Sequence, residues 1–167
     1  LWACEDIRMR NVRVEHCDYL FMRSRGIDID GYVQHGNYTF QWCRGAVIRN
    51  AVIDSRDAFW NAEDVTVYDS VVGGEFLGWH SRNLRLVNCR VTGIQPLCYC
   101  RGLVLENCSL GPECNYCFEY SDVTADLTSP VTSVRNPLSG SIRAPSCGEA
   151  VIDGFLLPGS CCRLDFG

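Results

Sequence analysis

The chain has 167 residues and carries 15 Arg, no Lys and 20 Asp or Glu, a net charge of −5, with 12 Cys. That length fits one domain with a sizeable core, and the acidic balance argues against a nucleic-acid partner, whose affinity comes mostly from a basic face. No apolar run approaches a membrane span and nothing near Leu1 has the build of a signal peptide, so no membrane association is expected and a cytoplasmic location is.

In chain order, "LWACE" at 1–5 aligns with the last strand and bend of a repeat that would precede it, which calls for further N-terminal coils or a partner over an open end. From there a Gly, Asp or Asn precedes an apolar-x-apolar triplet at Asp6, Gly26, Gly45, Asp64, Asn83, Gly102 and Asp122, at intervals of 19 or 20 residues. One step past these anchors stand Ile7, Ile27, Ala46, Val65, Leu84, Leu103 and Val123. Three steps past stand Met9, Ile29, Ile48, Val67, Leu86, Leu105 and Ala125. Alternation with period two marks short strands with one buried face, and a fixed period near twenty means a solenoid. The fold expected is all-β, a single-stranded parallel β-helix.

Five steps past the anchor come Asn11, Gly31, Asn50, Asp69, Asn88 and Asn107. These residue types tolerate a left-handed backbone at low cost, so a bend recurs there, and stacked Asn side chains can bond to one another. Two steps before the anchor the residues are small: Cys4, Ser24, Cys43, Ala62, Ser81 and Cys100. Five steps before it they are mostly large: Leu1, Phe21, Phe40, Phe59, Gly78 and Leu97. Bulky and small stacks side by side fill a narrow coil. Residues 1–127 therefore read as regular coils. Residues 128–167, rich in Ser, Thr, Pro and Gly, read as irregular short-strand coils and a C-terminal cap, with Val123 to Ile142 keeping the nineteen-residue spacing.

The segment from Asp57 to Leu110, with "FEYSDV" at 118–123, resembles a bacterial domain-of-unknown-function family placed among pectin-lyase-like β-helices. Right-handed coiling is what the resemblance implies, in line with the usual hand of parallel crossovers. It implies no activity, and the chain lacks the clustered aspartates that hydrolases and lyases of that kind use.

Candidate chemistry is then read from the columns. Asp57 and Glu75 fall on adjacent coils near one edge, at a separation suited to an acid/base pair acting on a glycosidic bond. Trp60, Trp79 and Tyr99, with Trp42 and Tyr120, recur three or four residues before the anchor and offer ring faces for sugars, with Gln95, His80 and Glu119 beside them. The expected partner is a polysaccharide or oligosaccharide. The competing reading is a non-catalytic scaffold or protein-binding rod whose aromatics close the core. Cysteines occupy columns otherwise filled by Ala and Ser and are expected reduced. Cys114-x-x-Cys117 has zinc-like spacing, but its partner Cys100 belongs to the core column, so neither metal nor cofactor is expected.

Overall fold

An apolar face that recurs every nineteen residues cannot be buried by one coil alone; it is buried by the next coil. The computed structural model describes residues 1–167 and is a parallel β-solenoid of about nine turns without helix. Its strands are β1 (Glu5–Asp18), β2 (Arg25–Asn37), β3 (Arg44–Arg56), β4 (Glu63–Tyr68), β5 (Val71–Gly73), β6 (Arg82–Val87), β7 (Arg90–Thr92), β8 (Leu103–Leu110), β9 (Asp122–Leu127), β10 (Val131–Arg135), β11 (Ser139–Ala144), β12 (Cys147–Val151) and β13 (Arg163–Phe166). Every pairing is parallel, and the main sheet runs β1-β2-β3-β4-β6-β8-β9-β11-β13.

The register follows the sequence period. Met9, Ile29, Ile48, Val67, Leu86 and Leu105 are successive partners, continued by Ala125. From Ile29 onward these side chains are buried. Ile142 and Leu164 extend the column, so stacking continues through the irregular region. There the spacing differs from the sequence expectation: Ile142 lies beside Ala125, and Val123 lies beside Gly140. The cause is a shortened arc. Residues 136–138 alone separate β10 from β11, where residues 38–43 and 57–62 make the earlier arcs.

The bend column is left-handed throughout, with φ between 50° and 71° from Asn11 to Asn107. Asn107 Nδ2 donates to Asn88 Oδ1 at 2.8 Å and Asn88 Nδ2 to Asp69 Oδ1 at 2.9 Å. Gly31 has no side chain to offer, so Asn50 donates instead to Asp30 at 2.7 Å. The next residue on each coil explains why Ser and Cys interchange. Ser70, Cys89 and Cys108 each turn one donor back to the carbonyl two residues earlier, at 2.6, 3.3 and 3.3 Å. A small side chain with one X–H satisfies a carbonyl at the bend, and sulfur serves as well as oxygen. All 12 thiols are free, seven of them buried. Burial pushes the Cys100 thiol up to about 11 and that of Cys43 up to about 12.

Inside the arc, Phe21, Phe40 and Phe59 stack with ring centroids 4.6 and 5.0 Å apart. Gly78 takes the fourth place, and a Cβ there would lie 2.8 Å from a methyl of Leu97 and 3.1 Å from one of Leu84. Those leucine methyls fill the space that a ring fills elsewhere. At the first coil the core is open: Ile7, Met9, Val12 and Val14 are only partly buried, and Trp2 is 63% exposed.

Candidate functional site

Each arc carries three left-handed residues in alternation, for example Tyr38, Phe40 and Trp42, then Asp57, Phe59 and Asn61, then Phe76, Gly78 and His80. The middle one of each trio points into the core, as the burial of Phe40, Phe59 and Gly78 shows. The third forms an outer column of Arg23, Trp42, Asn61, His80, Tyr99 and Tyr120, and the residue before it a second column of Gln41, Trp60, Trp79, Cys98 and Glu119.

The second column has an architectural task. The Trp60 indole N–H donates to the Phe76 carbonyl at 2.8 Å, and the Trp79 indole N–H to the Gln95 carbonyl at 2.7 Å. In the same slot Gln41 Nε2 donates to the Asp57 carbonyl at 3.2 Å and Cys98 Sγ to the Tyr116 carbonyl at 3.5 Å. Each side chain thus clasps the left-handed residue that opens the arc of the next coil. Trp60 and Trp79 lie parallel, 2° apart in plane and 5.7 Å between centroids, and both are half-buried. Gln95 takes part through its carbonyl rather than its side-chain amide.

The outer column faces water. His80 is exposed and stacks on Tyr99 at 4.8 Å and 16°, and Tyr99 meets Trp79 edge-on at 5.0 Å and Tyr120 at 5.8 Å. Burial, and after it the neighbouring Glu119 carboxylate, push the Tyr99 phenol above its ordinary value. Trp42 is 55% exposed, and its indole N–H makes no hydrogen bond within the chain. It walls a cleft of about 230 Å³ together with Arg44, Asn61, Glu63, His80 and Arg82.

Asp57 and Glu75 are brought together, with Arg56 between them. Arg56 Nε lies 3.4 Å from Glu75 Oε2 and 3.9 Å from Asp57 Oδ2. The Asp57 side chain is 13% exposed and its Oδ1 has no hydrogen-bond partner, whereas Glu75 is 47% exposed. Burial holds the Asp57 carboxyl above the usual carboxylate range; Arg56 pulls it down and Glu75 pushes it up. Glu119 stands apart, 12% exposed, 3.2 Å from Arg135 Nε, and Arg135 also pairs with Asp153 at 3.2 Å. The sequence candidates thus divide into a carboxylate pair at the start of the arc and an aromatic corner at its end, to which Glu119, paired with Arg135, is adjacent through Tyr99. No group of three or more His, Cys, Asp or Glu side chains is arranged to hold a metal ion.

Arg44, Glu63 and Arg82 were not among the sequence candidates. Their signal was present: one step before the anchor the chain reads Glu5, Arg25, Arg44, Glu63, Arg82 and Arg101, charged on six successive coils until Ser121 ends the run.

A family model described as "Protein of unknown function (DUF3737)" matches residues 1–164, and the chain belongs to that family. No curated protein and no solved structure matches it.

Proposed function

We propose that this member of the family is a carbohydrate-binding β-solenoid that holds an oligosaccharide along the corner formed by Trp42, Asn61, His80, Tyr99 and Tyr120. The observation that carries the reading is the exposed ring of Trp42, with its unused indole N–H, over a cleft that His80 closes and that the His80–Tyr99 stack continues along the rod. Aromatic faces with a few amide and guanidinium donors suit the apolar faces and hydroxyls of sugars. Neighbouring coils repeat at about 4.8 Å, a step suited to an extended chain of sugars. Trp60 and Trp79 support the corner from beneath, because their N–H groups are already used on backbone carbonyls. Kinship with pectin-lyase-like β-helices and a cytoplasmic location belong to the same reading; seven buried free thiols suit a reducing compartment.

The test is calorimetric titration with a panel of neutral and acidic oligosaccharides, comparing wild type with Trp42→Ala. Binding that Trp42→Ala weakens at least tenfold is expected. Absence of binding to every glycan removes the proposal and leaves a scaffold for a protein partner.

One observation favours a catalytic role beside it. Asp57 holds a carboxyl that burial raises above the usual carboxylate range, with one oxygen unpartnered, next to an exposed Glu75. A raised carboxyl next to an ionised one is what a general acid and its partner carboxylate would need for glycosidic cleavage. Release of reducing sugar that both Asp57→Asn and Glu75→Gln abolish is the result this second reading requires.

A further inference from the structure

Five contacts stack the charged column in register: Glu5 beside Arg25, Arg25 beside Arg44, Arg44 beside Glu63, Glu63 beside Arg82, and Arg82 beside Arg101. Its members are satisfied in turn. Arg25 pairs with Glu5 at 2.5 Å and Arg44 with Glu63 at 2.5 Å. Arg101 Nη1 donates to the carbonyls of Tyr120 at 3.0 Å and Cys100 at 3.3 Å. Arg82 alone in the column has neither an ion pair nor a side-chain hydrogen bond. It stands between Glu63, which is engaged by Arg44, and Arg101, a like charge whose adjacency is unfavourable.

That guanidinium borders the Trp42 cleft. Arg82, Trp42, Asn61 and His80 therefore border one space of about 230 Å³, with the paired Arg44 and Glu63 on its wall. Arg8, Arg23 and Arg90 are also without acidic partners, but Arg23 does not line this cleft, and Arg8 and Arg90 border open depressions that contain no aromatic ring. A planar fork of N–H donors matches an oxyanion in two-point geometry, while an exposed indole matches the apolar face of the ring that carries it.

We propose that Arg82, with Trp42, Asn61 and His80, forms a subsite for the oxyanion of an acidic sugar, a carboxylate or a sulfate ester. This rests on the sugar-binding reading and adds to it the charge of the ligand. A single unpaired guanidinium reads one anion at one position. A nucleic-acid strand puts a phosphate on every residue, and a chain of net charge −5 opposes such a run of charges.

The experiment titrates the 167-residue protein with a hyaluronan hexasaccharide, its carboxyl-reduced neutral counterpart, a chondroitin sulfate hexasaccharide and a single-stranded oligonucleotide. Wild type is expected to bind at least one acidic glycan about 10- to 100-fold more tightly than the reduced form, the range of a charge-assisted hydrogen bond. Chondroitin sulfate has glucuronate carboxylates as well as sulfates, so binding it more tightly than hyaluronan identifies sulfate, and binding it no more tightly identifies carboxylate. Arg82→Gln is expected to erase the preference, keep the neutral affinity and leave the unfolding midpoint in place, whereas Trp42→Ala weakens both forms. Equal affinity for acidic and neutral forms overturns the anion subsite while the sugar reading stands. No affinity for any glycan overturns both. Preferential binding of the oligonucleotide, or an acid preference that survives Arg82→Gln, also overturns the subsite.

Discussion

The inner aromatic stack gives the most direct test of how the solenoid is held together. Phe59 is 1% exposed, lies 5.0 Å from the Phe40 ring at 11°, and is followed on the next coil by Gly78, whose place the methyls of Leu84 and Leu97 already fill. Phe59→Ala removes a ring at a point where no aromatic neighbour waits on the far side. The coils above and below are fixed by backbone bonds, such as Phe59 N to Thr39 O at 3.0 Å and Gly78 N to Ala58 O at 2.7 Å, so the site can collapse little. Burying a ring and then losing it costs about 3–5 kcal/mol in general, and limited relaxation places this case near 4 kcal/mol. Phe59 also has φ of 60°, where any Cβ is strained by about 1 kcal/mol or more. Phe59→Gly loses the same ring but releases that strain, so it is expected to be no less stable than Phe59→Ala, the reverse of the usual order inside a strand. Phe59→Leu, which copies Leu97 from the same column, is expected to cost less than half as much. Urea unfolding monitored by circular dichroism, with m-values compared across the set, measures all three. A loss below about 1.5 kcal/mol for Phe59→Ala, or a Gly variant clearly weaker than the Ala variant, refutes the argument.

Two further outcomes follow from the arc. Burial holds the Asp57 carboxyl up, so the folded chain binds that proton more tightly than the unfolded chain. The associated stability is present below the unfolded value of about 3.9 and is lost as pH rises through the folded value. Asp57→Asn is therefore expected to melt higher than wild type at neutral pH, with the difference closing below about pH 4; a lower melting temperature at pH 7 would mean that Arg56 fully compensates the charge. Trp79→Phe deletes the hydrogen bond to the Gln95 carbonyl and is expected to cost about 1 kcal/mol, while Trp42→Phe, at an exposed ring whose indole N–H bonds to nothing within the chain, leaves stability unchanged within about 0.5 kcal/mol in urea titrations.

Much of the fold was legible because burial in a solenoid repeats. Leu86 and Leu105 are nineteen residues apart in sequence and are neighbours in space, and the same holds for Asn88 and Asn107. The reading failed where the arc changed length. Between Ala125 and Ile142 a three-residue connection replaces the usual six, and composition alone marks that region as irregular without saying which residues pair. The site was legible in residue type more than in role. Recurring tryptophans showed in the spacing, but that Trp60 and Trp79 do the work of Gln41 and Cys98 depends on which carbonyl each side chain reaches. The charged column was equally visible, yet which of its guanidiniums lacks an acid depends on how Glu63 is shared, and the structure gives it to Arg44.

The cost of the outer column separates architecture from surface role. All six of its residues, from Arg23 to Tyr120, have φ between 50° and 61°. A left-handed backbone disfavours ordinary side chains by roughly 1–2 kcal/mol per residue, and Gly, Asn and Asp are the tolerant choices. The bend column obeys that rule, with Asn, Gly or Asp on each coil from Asn11 to Asn107. The outer column breaks it at every place but Asn61. For Phe40 and Phe59 the same strain is offset by complete burial of the ring. Arg23, Trp42 and His80 have no such return, because they are exposed. The strain at Arg23, Trp42 and His80 is therefore not offset by core packing, and a solvent-side role for these side chains is what the sugar-binding proposal would supply.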